Sequence, residues 1–81
     1  SNGNILTDMD LLKKLRHWRY EKAKEIKKPA YIIMSNSSLV DLATRQPTTR
    51  EELFSITGIG EKKVELYGDV IVQIIKMNNY S

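Results

Sequence analysis

Apolar residues recur at helical spacing along most of the chain. Between Thr7 and Lys27, residues Leu11, Leu12, Leu15, Ala23 and Ile26 share one side of a wheel turning by about 100° per residue, with Trp18 at its margin. This pattern predicts a first helix that starts near Thr7 and ends before Pro29, since the residue preceding a proline is pushed out of the α region. Thr7 or Asp8 can cap it, and Asp10 suits the positive end of the helix dipole. Arg19 falls inside the apolar sector, where a guanidinium needs a carboxylate or carbonyl partner. An internal ion pair with Asp41 or Asp69 is the expectation.

Pro29-Ala30-Tyr31-Ile32-Ile33-Met34 is short, apolar and rich in β-branched residues. Nothing else in the chain offers a partner strand, so it is predicted to be a connector with one helical turn that plugs the core. Ser35, Asn36, Ser37 and Ser38 supply caps for a short helix with Leu39, Leu42 and Ala43 facing inward. After Pro47, Thr48 or Thr49 caps a further helix, with Glu51 or Glu52 at the capping-box position and an end at Thr57-Gly58. The last helix is predicted from about Glu61 to Met77, with Val64, Tyr67, Gly68, Ile71, Ile74 and Ile75 inward. A mid-helix glycine costs about 1 kcal/mol relative to alanine, so Gly68 marks a close approach between helices.

Eighty-one residues make one small domain. A flexible polar lead is expected over residues 1–6, with Ser1-Asn2 consistent with a tag remnant, the helical domain over 7–78 and a tail over 79–81. No apolar run approaches the ~20 residues that span a bilayer, so no membrane contact is expected. The chain has no cysteine, which rules out disulfides and thiolate metal sites. The net charge of +3 hides an asymmetry. Residues 13–28 hold eight bases against two acids, a local charge of +6, while the rest holds five against eight, or −3. Such a field favours a polyanion over one face.

On the helical wheel Lys13, Arg16, Tyr20, Lys24 and Lys27 cluster opposite the apolar sector, with Lys28 and Tyr31 just beyond the helix end. Cations in a stripe track phosphates, and an aromatic ring gives a base a surface to stack on. The plain alternative is a solvated lysine-rich face, with Tyr31 at the rim of the core. The second candidate is Gly58-Ile59-Gly60 with Lys62 and Lys63. Two glycines make a tight turn at a helix N-terminus, whose accessible N–H groups suit a phosphate. Glu61 adjoins that turn and Glu51, Glu52 and Glu65 are near in sequence, so a purely structural hairpin is the preferred reading. Trp18 is expected in or beside the core. His17 has no ligand set for a metal, no phosphate-loop motif is present, and no catalytic cluster, metal or cofactor is expected.

The chain resembles the HRDC domain, the helicase-and-RNaseD C-terminal module. The elements that carry the likeness are Leu12-x-x-Leu15, Arg19 followed by Ala23, Pro29-x-Tyr31-x-Ile33, Leu39-x-x-Leu42-Ala43 and Gln46-Pro47-Thr48. They continue with Glu52-Leu53, Ile56-x-Gly58-Ile59-Gly60, Lys63 and Tyr67-Gly68. The resemblance implies an all-α bundle of about five short helices and a non-catalytic, accessory role in a RecQ-type DNA helicase of repair or recombination. It implies a monomer in the bacterial cytoplasm, at the nucleoid, and weak, salt-sensitive contact with single-stranded or partly duplex DNA. Bacterial RecQ sequences usually read Pro-Pro-Tyr where this chain has Pro29-Ala30-Tyr31, and the resemblance places Tyr31 at a single-strand surface. Two rival roles stay open: docking of the basic face on the helicase core or another protein, and guiding RNA in ribonuclease D.

Overall fold

Capping side chains set most of the helix starts. The computed structural model describes residues 6–80 and contains α1 (Met9–Ile26), α2 (Ala30–Ile33), α3 (Asn36–Arg45), α4 (Arg50–Leu53) and α5 (Glu61–Asn79). The Asp8 carboxylate accepts from the Leu11 N–H at 3.0 Å, Ser35 Oγ from the Ser38 N–H at 3.1 Å, and Thr49 Oγ1 from the Glu52 N–H at 3.1 Å. Each satisfies a donor that the first helical turn leaves free. At α4 the carboxylate of Glu52 reaches back to the Thr48 N–H at 2.8 Å, one residue beyond the N-cap amide of the usual capping box.

The long helix α1 is the hub, packed against α2, α3 and α5, while α4 packs on α5. Leu11 and Leu15 of α1 meet Ile33, Met34, Leu39, Leu42, Leu53, Ile71 and Ile75 in a core with almost no solvent contact. The fold is all-α among the described residues. Pro29–Met34 is the helical plug its pattern predicts, with Ile33 and Met34 fully buried. A Cβ on Gly68 would lie 3.3 Å from Leu53 Cδ1 and 3.2 Å from Val64 Cγ1. Hydrogen in place of that methyl lets α4 sit against α5, which is the close approach expected there.

Four expectations are corrected. Arg19 forms no ion pair among the described residues: its Nη1 donates to the Met34 carbonyl at 2.9 Å. Asp41 is engaged by Arg45, and Asp69 by Arg50. Ile26 stays 40% exposed, because it occupies the last turn of α1, where the chain reverses towards α2. The helix after Thr49 is a single turn. Beyond Leu53 the backbone bonds of Phe54, Ser55 and Ile56 run to the third residue back, and this tighter winding delivers the chain to Gly58. The last helix continues two residues past Met77, to Asn79.

Asp41 ties α3 to the connection before α5. Its Oδ2 accepts from the Thr57 N–H at 2.9 Å and its Oδ1 from Arg45 Nε at 2.9 Å. The Thr57 amide, ahead of Arg45, holds this carboxyl below the usual aspartate range, against an opposing push from burial. A lowered folded-state pKa contributes stability that is complete above the unfolded value of about 3.9 and is lost as pH falls through the folded one. The stability deficit of Asp41→Asn relative to the parent is therefore expected at neutral pH and should shrink below about pH 4. Urea midpoints of both proteins across that range measure it.

Candidate nucleic-acid interface

The C-terminal half of α1 and the start of α2 enclose a shallow groove of about 470 Å³. Arg16, Tyr20, Lys24, Lys27 and Lys28 line it, over apolar ground that includes Ala23 and Pro29. All five are exposed. Four members of the stripe read from the wheel, with Lys28 just beyond the helix end, are thus gathered round one concavity. Lys24 Nζ lies 5.7 Å from the centroid of the Tyr20 ring, a cation–π contact that keeps both side chains on one wall.

The end of α1 shapes this groove. Lys27 has φ 58° and ψ 46°, a left-handed residue. The Lys28 N–H donates to the Ala23 carbonyl at 3.0 Å and the Lys27 N–H to that of Lys24 at 3.3 Å, the paired bonds of a Schellman ending. Glycine is the usual occupant of such a position, and a side chain there costs about 1–2 kcal/mol. After the loss of unfolded-state entropy that a side chain provides, Lys27→Gly is expected to gain about 0.5–1 kcal/mol of stability. Thermal denaturation checks it.

Pro29 precedes α2 in an extended conformation, and Ala30 opens the helical turn with its carbonyl accepting the Met34 N–H at 3.2 Å. With alanine at position 30 the connector is formed. Tyr31, 69% exposed, stands on α2 outside the groove lining, next to Ile32 at 47%. The core-rim alternative for Tyr31 is thereby disfavoured. Lys13 also lies outside the groove lining, in one depression shared with Asp10, Lys14 and His17 and in another that adjoins Arg16.

The Gly58-Ile59-Gly60 turn has different surroundings. Gly58 is left-handed, at φ 75°, and a Cβ there would lie 2.7 Å from Ser38 Oγ. The buried Ser38 hydroxyl donates to the Thr57 carbonyl, and Ile59 is buried. Gly60 caps α5 with no side-chain hydrogen bond. Beside the turn a second depression is lined by Glu51, Glu61 and Glu65 together with Arg50 and Phe54. Lys62 is exposed and Lys63 half-buried, and neither joins the α1 groove. Acidic neighbours disfavour a phosphate there. Trp18 is half-buried and meets Tyr67 edge-on, with ring centroids 5.5 Å apart at 75°. This places it as packing between α1 and α5.

Among the described residues no group of three His, Cys, Asp or Glu side chains is placed to hold a metal ion, and no helix is long and apolar enough to cross a membrane.

The HRDC domain family model matches residues 8–75. The chain is 38% identical over 69 residues to the ATP-dependent DNA helicase UvrD2 of Mycobacterium tuberculosis, covering 85% of this chain and 10% of that protein. It is 37% identical over 71 residues to the ATP-dependent DNA helicase RecQ of Pasteurella multocida, covering 88% and 11%. The third HRDC domain of Deinococcus radiodurans RecQ superposes with a TM-score of 0.87 at 38% identity, covering 91% of this chain and 97% of that one. The chain thus spans about a tenth of the length of the curated relatives it matches. A match along the sequence, the five-helix bundle and the superposition agree: the chain belongs to the HRDC domain family.

Proposed function

We propose that this domain is an auxiliary nucleic-acid-binding module of an ATP-dependent DNA helicase of the RecQ or UvrD2 kind. It holds single-stranded or partly duplex DNA while a separate motor consumes ATP. The observation that carries the reading is the convergence of Arg16, Tyr20, Lys24, Lys27 and Lys28 on one groove, with Tyr31 exposed nearby. Cations along the groove contact successive phosphates, and the two tyrosines offer stacking surfaces to unpaired bases. The domain does no chemistry of its own in this reading. Tethering to the motor raises its local concentration at the strand, so weak affinity suffices.

Titration of the chain with a fluorescent single strand at low and moderate salt tests this. Binding that weakens steeply as salt rises is the expected result. No binding at low salt would sink the proposal. The rival, docking of this face on an acidic protein surface, predicts salt-sensitive protein binding with no DNA-induced shift of groove resonances.

A further inference from the structure

We infer that Arg16 and Arg19 act together as the phosphate clamp of the groove, two guanidiniums that hold one phosphodiester of a bound strand. The inference rests on the nucleic-acid reading above and adds to it Arg19, whose place in the apolar sector otherwise marks it as purely structural.

The chain has four arginines. Two are neutralised by aspartates: Arg45 Nε lies 2.9 Å from Asp41 Oδ1, and Arg50 Nη1 lies 3.2 Å from Asp69 Oδ1. Arg16 and Arg19 have no carboxylate within ion-pair distance among the described residues. They stand three residues apart on α1, neighbours on the helix surface, and both line the groove. Two adjacent guanidiniums without a counter-charge form a site that an incoming anion completes.

Arg19 is also held in place. Its Nη1 donates to the Met34 carbonyl at 2.9 Å, which fixes the plane of the guanidinium and pins α2 to α1. A guanidinium carries five N–H donors in a rigid fork. One is spent on Met34, and the others meet no protein acceptor among the described residues. Burial first, and the charge of Arg16 second, push the Arg19 guanidinium down from its ordinary value. It nevertheless stays charged. An anion between the two cations relieves their repulsion, and a fork already fixed loses little freedom on binding.

A phosphodiester fits better than an isolated carboxylate because positive charge continues away from the pair. Lys24, Lys27 and Lys28 extend it along the groove, matching a ligand whose charges repeat. The clamp reads phosphate and not base, so it confers no sequence preference.

The test observes the Nε–H resonances of both arginines in the unmodified chain while three probes are added. These are a short thymidine oligonucleotide, an abasic strand of the same length, and inorganic phosphate. Both resonances are expected to move with either strand, and to move far less with inorganic phosphate at equal concentration. In parallel, the double variant Arg16→Gln with Arg19→Gln is expected to lower the salt slope of single-strand affinity by about 0.7, the value of one phosphate contact, and each single variant by part of that. A purely structural Arg19 would lower the melting temperature and leave that slope unchanged, which overturns the clamp. An unmoved Arg19 resonance while Tyr20 and Lys24 signals shift also overturns it, yet leaves the groove as the nucleic-acid site. Inorganic phosphate reproducing the full shift would identify a free anion as the ligand and overturn the strand assignment. Silence of every groove resonance with both strands would remove the nucleic-acid reading itself.

Discussion

Gly58→Ala is expected to destabilise the domain by about 2–3 kcal/mol. Two costs combine. The residue sits at φ 75°, where a side chain adds about 1–2 kcal/mol. Its Cβ would also lie 2.7 Å from Ser38 Oγ. That hydroxyl cannot swing aside cheaply, because it is buried and donates to the Thr57 carbonyl. Displacing it would break the bond to the Thr57 carbonyl and unseat a buried hydroxyl, which adds to the strain. For a domain of this size the loss corresponds to a fall in melting temperature of roughly 10–20 °C. Gly60→Ala is the internal control. No atom lies within 4 Å of a Cβ built at Gly60, so only the modest cost of alanine at a helix N-cap remains, of order 0.5–1 kcal/mol. Equal losses at the two glycines would contradict this account of the turn.

The contrast between these glycines shows where sequence reasoning stops. The motif Gly58-Ile59-Gly60 announces a tight turn before α5, and the turn is there. Which glycine is indispensable depends on Ser38, twenty residues earlier in the chain, and no local pattern connects the two. Arg19 shows the same limit. The wheel places it correctly in the apolar sector and correctly demands a partner. The partner is a backbone carbonyl, however, and carbonyls leave no trace in residue identity, whereas Asp41 and Asp69 attract attention by their charge. The left-handed Lys27 was illegible for a related reason, since glycine or asparagine is the usual sign of such an ending. Helix periodicity, by contrast, was legible wherever a helix is long enough to bury a stripe, as in α1 and α5. At α4 one turn is too short for periodicity to fix its end, and the chain tightens after Leu53. The basic stripe shows on the same wheel. That it surrounds a groove, and that Lys13 and Tyr31 stand outside it, depends on how α2 folds back on α1.

Reversing two charges in the groove, Lys24→Glu with Lys27→Glu, is expected to lower single-strand affinity at least about tenfold, a change of roughly 1.4 kcal/mol or more. If both cations contact phosphates as proposed, the logarithmic salt slope is expected to fall by about 1.4. The fold tolerates the change at modest cost, because both side chains are exposed and neither is ion-paired among the described residues. The cost that remains arises at the helix end. Glutamates near the C-terminus of α1 meet the negative pole of the dipole, an unfavourable contact of about 0.3–1 kcal/mol each. A melting curve therefore accompanies the titration, and the affinity loss counts only if the variant stays folded at the assay temperature. Tyr31→Ala separates stacking from charge. If the ring stacks on a base, its loss weakens binding by ~1–3 kcal/mol while the salt slope stays at the parent value, since no phosphate contact is removed. The two variants are thus predicted to differ in kind: one flattens the salt dependence, and the other shifts it to weaker affinity at every salt concentration. A charge-reversed domain that binds the strand as tightly as the parent would show that α1 is a solvated face and that contact lies elsewhere on the bundle.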